Sequence, residues 1–424
     1  MTFTRRTLLA SGFGAAASTV VNAVGPTGVN GVSDEAMALL LVESRRWLHQ
    51  QYPDLRRHFV FEYYPWYGRN PMRHWQQWGR EPPLDLAANT MPALGAYDSR
   101  WVSVVEQHAR WINESGVGAV NLSWWGRGEF EDRAVHLIMD VMHAHDIRVT
   151  FHLEPYGPKR AEQLPADVAY ILQEYGEKRQ WDCLLLHRWS DGTTGPVFKL
   201  FNSLVPKSIR DCRGKEVELR DYVPQGTWRR VTDEIRKTLR HDFDHVTILS
   251  ESPNAGDVAS AGFDGLAIYG PDSLQTHWLE WALEASRKGL AFTFNVNPGL
   301  DEIEQRDVAF GSCYEPRPFI PATSQLRWMK SSARERARYL SEHQIGETLA
   351  TSVLLQTHPW LENVRQGFFL VYVCSFNEWH EGHQFEPMKD WAALTPQERV
   401  HGYHNPVNGA YRLQCLQRWL KRLL

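Results

Sequence analysis

The stretch S-F-N-E-W-H-E-G-H-Q-F-E-P, residues 375–387, sets three carboxylates and two imidazoles in one short segment behind an apolar run. Three readings compete: a metal site, an acid/base pair, or a solvated loop. A zinc-protease helix needs two histidines four apart on one face, whereas His380 and His383 are three apart. A serine hydrolase of the nucleophile-elbow type needs G-x-S-x-G, and the chain contains none. Acid/base cleavage of a glycosidic bond needs two carboxylates with separate roles at one bond. Glu378 and Glu381 are close enough in sequence to face one ligand from the same loop, and Glu154, in F-H-L-E-P-Y, would approach from a neighbouring element. Glu386 lies further into the segment and reads as a structural or surface group.

Positioning these groups takes a framework. Apolar or β-branched runs bounded by turn residues predict strands over 59–66, 118–124, 148–154, 197–201, 245–250, 263–269, 291–296 and 368–375. Helical periodicity lies between them, as over 99–116, with Ser99 as N-cap and Gly116 closing the end, and over 133–145. Alternation of this kind predicts an α/β fold, a single (β/α)8 TIM barrel with long βα loops, with an open doubly wound sheet as the alternative. In such a barrel the site lies at the C-terminal strand ends. That rule gathers Tyr64, Trp66, Trp125, Glu154, Tyr156, Tyr269, Asn295, Asn377, Glu378, His380 and Glu381 at one rim.

Composition agrees with a sugar site. The 424 residues carry 18 Trp, 15 Tyr and 18 Phe, and flat aromatic faces suit the apolar C–H faces of sugar rings. A net charge of -4 gives no footprint for nucleic acid. The segment 301–345 reads as an insertion before the last strand, rich in Arg and Pro: either a solvated amphipathic helix, or a basic rim that would accept an acidic glycan.

Arg5 and Arg6 precede a short apolar stretch ending in V-N-A, so residues 1–23 read as a twin-arginine-type export signal and 24–424 as the catalytic domain. The expected destination is the periplasm or the cell exterior. No stretch reaches the length of a membrane span. Five cysteines at irregular spacing argue against a disulfide framework and offer no C-x-x-C pair, and Cys374 reads as a buried small hydrophobe.

The motifs together resemble glycoside hydrolase family 99, the endo-α-mannosidases and endo-α-1,2-mannanases. The matching pieces are Y-Y-P-W-Y-G-R-N-P (63–71) with His74 and Trp75, A-L-G-A-Y-D-S-R (93–100), L-S-W-W (122–125), V-T-F-H-L-E-P-Y (149–156), G-F-D-G (262–265), N-P-G (297–299) and the 375–387 segment. The resemblance implies a retaining, endo-acting hydrolase that needs no cofactor and acts on an α-mannan-like oligo- or polysaccharide. It implies Glu378 as the base that deprotonates the sugar 2-hydroxyl and Glu381 as the general acid, with a 1,2-anhydro sugar between the two steps. Burial against Trp379 is one way to push their pKa values apart.

By the same resemblance, Tyr64, Trp66, His74, Trp75, Trp125, Glu154, Tyr156, Tyr269, Asn377 and His380 bind or orient substrate. Trp125 stands where mannanase-like members carry Trp, which favours a mannose-mannose unit. The sequence departs from the family where a second tyrosine is expected near Leu266-Ala267-Ile268-Tyr269, and again in 301–345. A metal-dependent hydrolase and a non-catalytic carbohydrate-binding protein are the alternatives from other classes.

Overall fold

The computed structural model describes residues 33–157, 159–179, 181–239, 241–270, 275–308, 313–315, 317–322 and 324–424. The expected export signal, residues 1–23, lies outside them. Eight parallel strands follow one another in chain order around one sheet: β1 Phe59–Tyr63, β2 Ala119–Trp124, β3 Arg148–Leu153, β4 Thr194–Leu200, β5 Thr247–Ser250, β6 Gly265–Ile268, β7 Ala291–Phe294 and β8 Val371–Val373. β1 pairs with both β2 and β8. A parallel bridge between Val296 and Val373 joins the two ends of the sheet, so the barrel closes.

Each strand is followed by a helix that covers the outside: Val102–Ser115, Phe130–Ala144, Arg160–Ile171, Gln225–Thr238, Ala255–Ser260, Trp278–Arg287, Ser331–Gln356 and Tyr411–Leu420. The helix expected from Ser99 starts later, with Trp101 as N-cap; the Ser99 N–H is taken by the Tyr67 carbonyl at 2.8 Å and its hydroxyl caps no N–H of the helix. Its other end falls as expected, on Gly116 in the left-handed region, φ 92°.

Strand alternation divides the core. Phe59, Phe61, Tyr63, Val120, Leu122 and Trp124 point outward into the helix layer. Val60, Ala119, Val197, Leu249, Ala267 and Ala291 point inward and fill the barrel floor. The next inward position up holds charge instead: Glu62 of β1 and Lys199 of β4 meet at 2.5 Å, both without exposed surface. Asn121 and His152 complete the layer, at 2.8 and 3.1 Å from Glu62 Oε2. Above it is the rim.

Two long connections rise over that rim. One, after β4, includes the hairpin Ser208–Arg210 with Glu216–Glu218. The other, after β7, runs outward and returns, with Leu300 bridged to Ile320. A disulfide between Cys212 and Cys313, Cα atoms 5.6 Å apart, ties the two. This corrects the cysteine reading: partners 101 residues apart in sequence come together only because loops from well-separated strands meet over the mouth. Cys183, Cys374 and Cys415 are free and buried, as the apolar setting of Cys374 suggests.

Candidate active site

The segment after β8 turns back over the barrel mouth. Phe376 N–H donates to Glu62 O at 2.7 Å, and Asn377 clamps the end of β1, accepting from Tyr64 N–H at 2.7 Å and donating to Tyr64 O at 3.0 Å. Asn377 also donates to the Tyr97 hydroxyl at 3.2 Å. Its amide is thereby committed to holding the loop rather than to a sugar. Gly382, φ 71°, follows Glu381 directly, and a Cβ there would run into the Asp301 carbonyl. The turn at this glycine brings His383 back against Glu381, Nε2 to Oε2 2.7 Å.

The two carboxyls lie in contrasting surroundings. Glu378 has a side chain 5% exposed, and its Oε1 accepts from the His380 N–H at 2.8 Å. Burial first, and then the charge of Glu381, push its pKa well above the ordinary value, against the backbone N–H groups of His380 and Glu381. Glu381 is 33% exposed. Burial pushes its pKa up as well, but the His383 hydrogen bond and charge, the Arg317 charge and the Tyr269 hydroxyl outweigh that and bring it below the ordinary value. The surroundings thus set the two carboxyls apart, with Glu378 the more readily protonated. The resemblance to glycoside hydrolase family 99 implies the opposite order, with Glu381 as the acid.

Tyr64 and Tyr269 join their hydroxyls at 2.8 Å, and the Tyr269 hydroxyl reaches on to Glu381 Oε2 at 3.4 Å. Beside them stands an aromatic stack: Trp66 on His74, centroids 4.8 Å apart, and His74 on His380 at 5.4 Å. Burial lowers the pKa of His74 to about 4 and that of His380 to about 3, so both rings are neutral near pH 7. His380 Nε2 is buried without a hydrogen-bond partner among the described residues. Trp125 lies 6.4 Å from Trp66 and donates its indole N–H to Ser123 Oγ at 3.2 Å. That serine in turn donates to Glu154 at 2.8 Å. Burial raises the pKa of Glu154.

Two expected binding residues serve elsewhere. Trp75 is fully buried, stacked on Tyr67 at 4.2 Å with its N–H on Tyr97 O, and has no face left for a sugar. Tyr156 gives its hydroxyl to Asp167 at 2.6 Å, on the helix that follows β3. Glu386 is structural rather than a surface group: fully buried, it accepts from Tyr97, His108 and Trp379 at 2.8, 3.1 and 3.1 Å.

Other groups went unnoticed in the sequence. His383 enters the sequence analysis only through its spacing from His380, although its place two beyond Glu381 across a glycine is the signal for a partner of that carboxyl. Glu251, directly after β5, accepts from Asn202 N–H at 3.2 Å and has its pKa raised by burial. Glu62 and Lys199 are lone charges inside apolar strands, F-V-F-E-Y and V-F-K-L.

The H-E-G-H residues do not converge as metal ligands, since His383 is bonded to Glu381 and Ser375 while His380 is stacked on His74. Among the described residues no group of three or more His, Cys, Asp or Glu forms a metal set. Within 301–345 a helix begins at Ser331, and two of its arginines are committed to neighbours in the fold. Arg334 is buried with its guanidinium 3.8 Å over Trp391, and Arg338 bonds Glu335 and Glu342 at 3.0 and 2.9 Å.

Comparison with known proteins agrees with this geometry. Residues 54–308 match the model of glycosyl hydrolase family 99, the match ending inside the long connection after β7. The chain is 25% identical over 370 residues to a glycoprotein endo-alpha-1,2-mannosidase of Mus musculus, covering 80% of this chain and 69% of that one. It is 26% identical over 395 residues to a glycoprotein endo-alpha-1,2-mannosidase-like protein of Homo sapiens, covering 85% and 75%. The fold is shared with the GH99 endo-alpha-mannosidase of Bacteroides thetaiotaomicron, TM-score 0.58 at 19% identity, over 87% of this chain and 97% of that one. The chain belongs to glycosyl hydrolase family 99 and is a glycoside hydrolase.

Proposed function

We propose that the protein is an exported endo-α-mannosidase that cleaves an internal α-mannosidic bond with retention, through a 1,2-anhydro sugar. The observation that carries this reading is the pair Glu378 and Glu381 on one turn after β8, pushed to opposite sides of the ordinary carboxyl pKa. Such a pair holds one proton over a wide pH range, as one base and one acid require.

In an α-mannoside the axial 2-oxygen stands anti to the axial leaving group, so internal displacement gains the entropic benefit of an intramolecular step. Glu378 takes the proton of the 2-hydroxyl as that oxygen bonds to C1, the C1–O bond to the leaving sugar breaks, and Glu381 protonates the departing oxygen. Water then loses a proton to Glu381 and attacks C1, the C1–O2 bond opens, and Glu378 returns its proton to O2. Two inversions give retention. The cycle starts with the proton on Glu381, so substrate must draw it across the pair. A 2-hydroxyl donating to Glu378 and a leaving oxygen accepting from Glu381 both favour that transfer.

Trp125 and Glu154, linked through Ser123, are the residues proposed to hold the mannose units ahead of the cleaved bond. Export to an oxidising compartment is supported by the Cys212–Cys313 disulfide, and no described helix is long and apolar enough to cross a membrane.

Glu378→Gln and Glu381→Gln should each lower turnover of an α-mannosyl-1,3-mannose substrate at least about a hundredfold while circular dichroism stays native. Near-normal activity in both variants overturns the reading. A fluoride leaving group needs little protonation, so an α-mannosyl fluoride should restore kcat/KM, which reports the first step, in Glu381→Gln and leave Glu378→Gln impaired. The reverse result would exchange the two roles.

A further inference from the structure

The connection after β7 builds more than a roof. It walls a cavity of about 790 Å³ together with the loops after β1 and β8, within the range of sites that hold a small ligand. The wall is fixed to the catalytic turn: Asp301 N–H donates to Glu381 O at 2.9 Å, and Ile303 N–H to His380 O at 2.8 Å. Asp301 also holds His404, Oδ2 to Nδ1 2.7 Å, and His404 carries Trp328, with ring centroids 4.1 Å apart and an interplanar angle of 13°. Trp328 remains partly exposed in the cavity. The far end of the wall is anchored by the Cys212–Cys313 disulfide.

Three features point to the occupant. An aromatic platform with neutral polar neighbours such as Asn89, Ser324 and Gln325 suits the mixed faces of a sugar. The arginines of the cavity are already paired, Arg80 and Arg306 on Asp85 and Arg317 on Glu302, while Glu304 adds a carboxylate to the lining. An anionic ligand would have to break these pairs, and a neutral one would not. The cavity is lined from the β7, β8 and β1 end of the rim, and its Arg317 is close enough to Glu381 for the guanidinium charge to act on that carboxyl. Trp125 and Glu154 directly follow β2 and β3 and are not part of its lining.

We infer that this cavity binds the leaving-group portion of a neutral oligosaccharide, with Trp328 as its stacking platform and the chain's own connection after β7 as the specificity element. The assignment rests on the proposed function, in which Glu381 faces the leaving oxygen.

The test compares two substrates with the same mannobiosyl donor, one losing fluoride and one losing a linear mannotriose. In Trp328→Ala the ratio of kcat/KM for the mannotriosyl substrate to that for the fluoride should fall at least tenfold, mainly through KM. Trp328→Phe should recover most of the loss. Ser324→Trp, which crowds the cavity from an exposed position, should lower the same ratio and serves if Trp328→Ala does not fold. An unchanged ratio in the folded variants overturns the assignment while leaving the proposed function intact. Preference for a uronic-acid leaving group over mannotriose overturns the neutral occupant. A wild type that cleaves neither mannosyl substrate defeats the functional reading, and this assignment with it.

Discussion

Glu62 and Glu378 are both buried carboxyls within this one barrel, yet they are pushed in opposite directions. Burial raises the pKa of each. Glu62 also meets the Lys199 ammonium at 2.5 Å, His152 at 3.1 Å and the Asn121 amide at 2.8 Å, and Lys199 and His152 overcome burial to bring its pKa down to about 2. Glu378 meets backbone N–H groups and a second carboxylate, and the sum leaves burial in command. Depth does not distinguish a structural ion cluster from an acid/base site; the number of cations supplied does. In the apolar barrel a carboxylate given a cation becomes a fixed anion, and one denied it becomes a proton store.

Removing the cation gives the largest expected effect. Lys199→Met leaves Glu62 buried and unpaired, which should cost about 3–5 kcal/mol of stability, read as a loss in denaturant midpoint. The double variant Glu62→Gln, Lys199→Met should regain much of it. The pH dependence changes sign as well. In the wild type the folded pKa of Glu62 lies below its ordinary 4.5, so its contribution is present above that value and lost as pH falls through about 2. In Lys199→Met, burial alone would raise the pKa, so the variant should lose stability as pH rises past the ordinary value. A single variant within about 1 kcal/mol of wild type, or one with unchanged pH slope, would contradict the account.

How far the sequence foretold this comparison depends on the range of the signals. Alternation and turn residues are local, so all eight strands and the position of Glu378 and Glu381 after β8 were legible. The Glu62–Lys199 pair was not, because it joins inward positions 137 residues apart and each looks like an isolated charge in its own strand. The disulfide escaped notice for the same reason. The sequence offers Trp75, Tyr156 and Asn377 as binding residues, whereas the structure bonds their polar atoms to Tyr97, Asp167 and Tyr64. Whether an aromatic or amide faces the cavity or the scaffold depends on neighbours such as Tyr67, Asp167 and Tyr64 that only the folded chain brings up.

The catalytic pair can be moved toward either extreme by editing its donors. His383→Leu deletes the closest polar contact of Glu381, so burial should dominate there as it does at Glu378. Glu381 titrates at the acid side of the shared-proton window: below its pKa both carboxyls are protonated and the base is lost. Raising that pKa should shift the acid limb of the kcat/KM profile upward by more than one pH unit, the scale of a charge-assisted hydrogen bond. The basic limb, set by loss of the last proton, should move less. An acid limb that stays in place would show that His383 does not hold Glu381 ionised.

Tyr269→Phe is the mildest edit and separates the two kinds of neighbour. The hydroxyl is 3.4 Å from Glu381 Oε2, longer than the 2.7 Å of His383, so its removal should raise the acid limb by less than about one pH unit, the equivalent of 1.4 kcal/mol. The same hydroxyl accepts from Tyr64 at 2.8 Å. Leaving that buried phenol without its acceptor should cost about 1–2 kcal/mol of stability. A phenol that mainly caps its neighbour would thus show in the melting curve before it shows in the pH profile. The opposite order would place Tyr269 with His383 among the groups that set the proton.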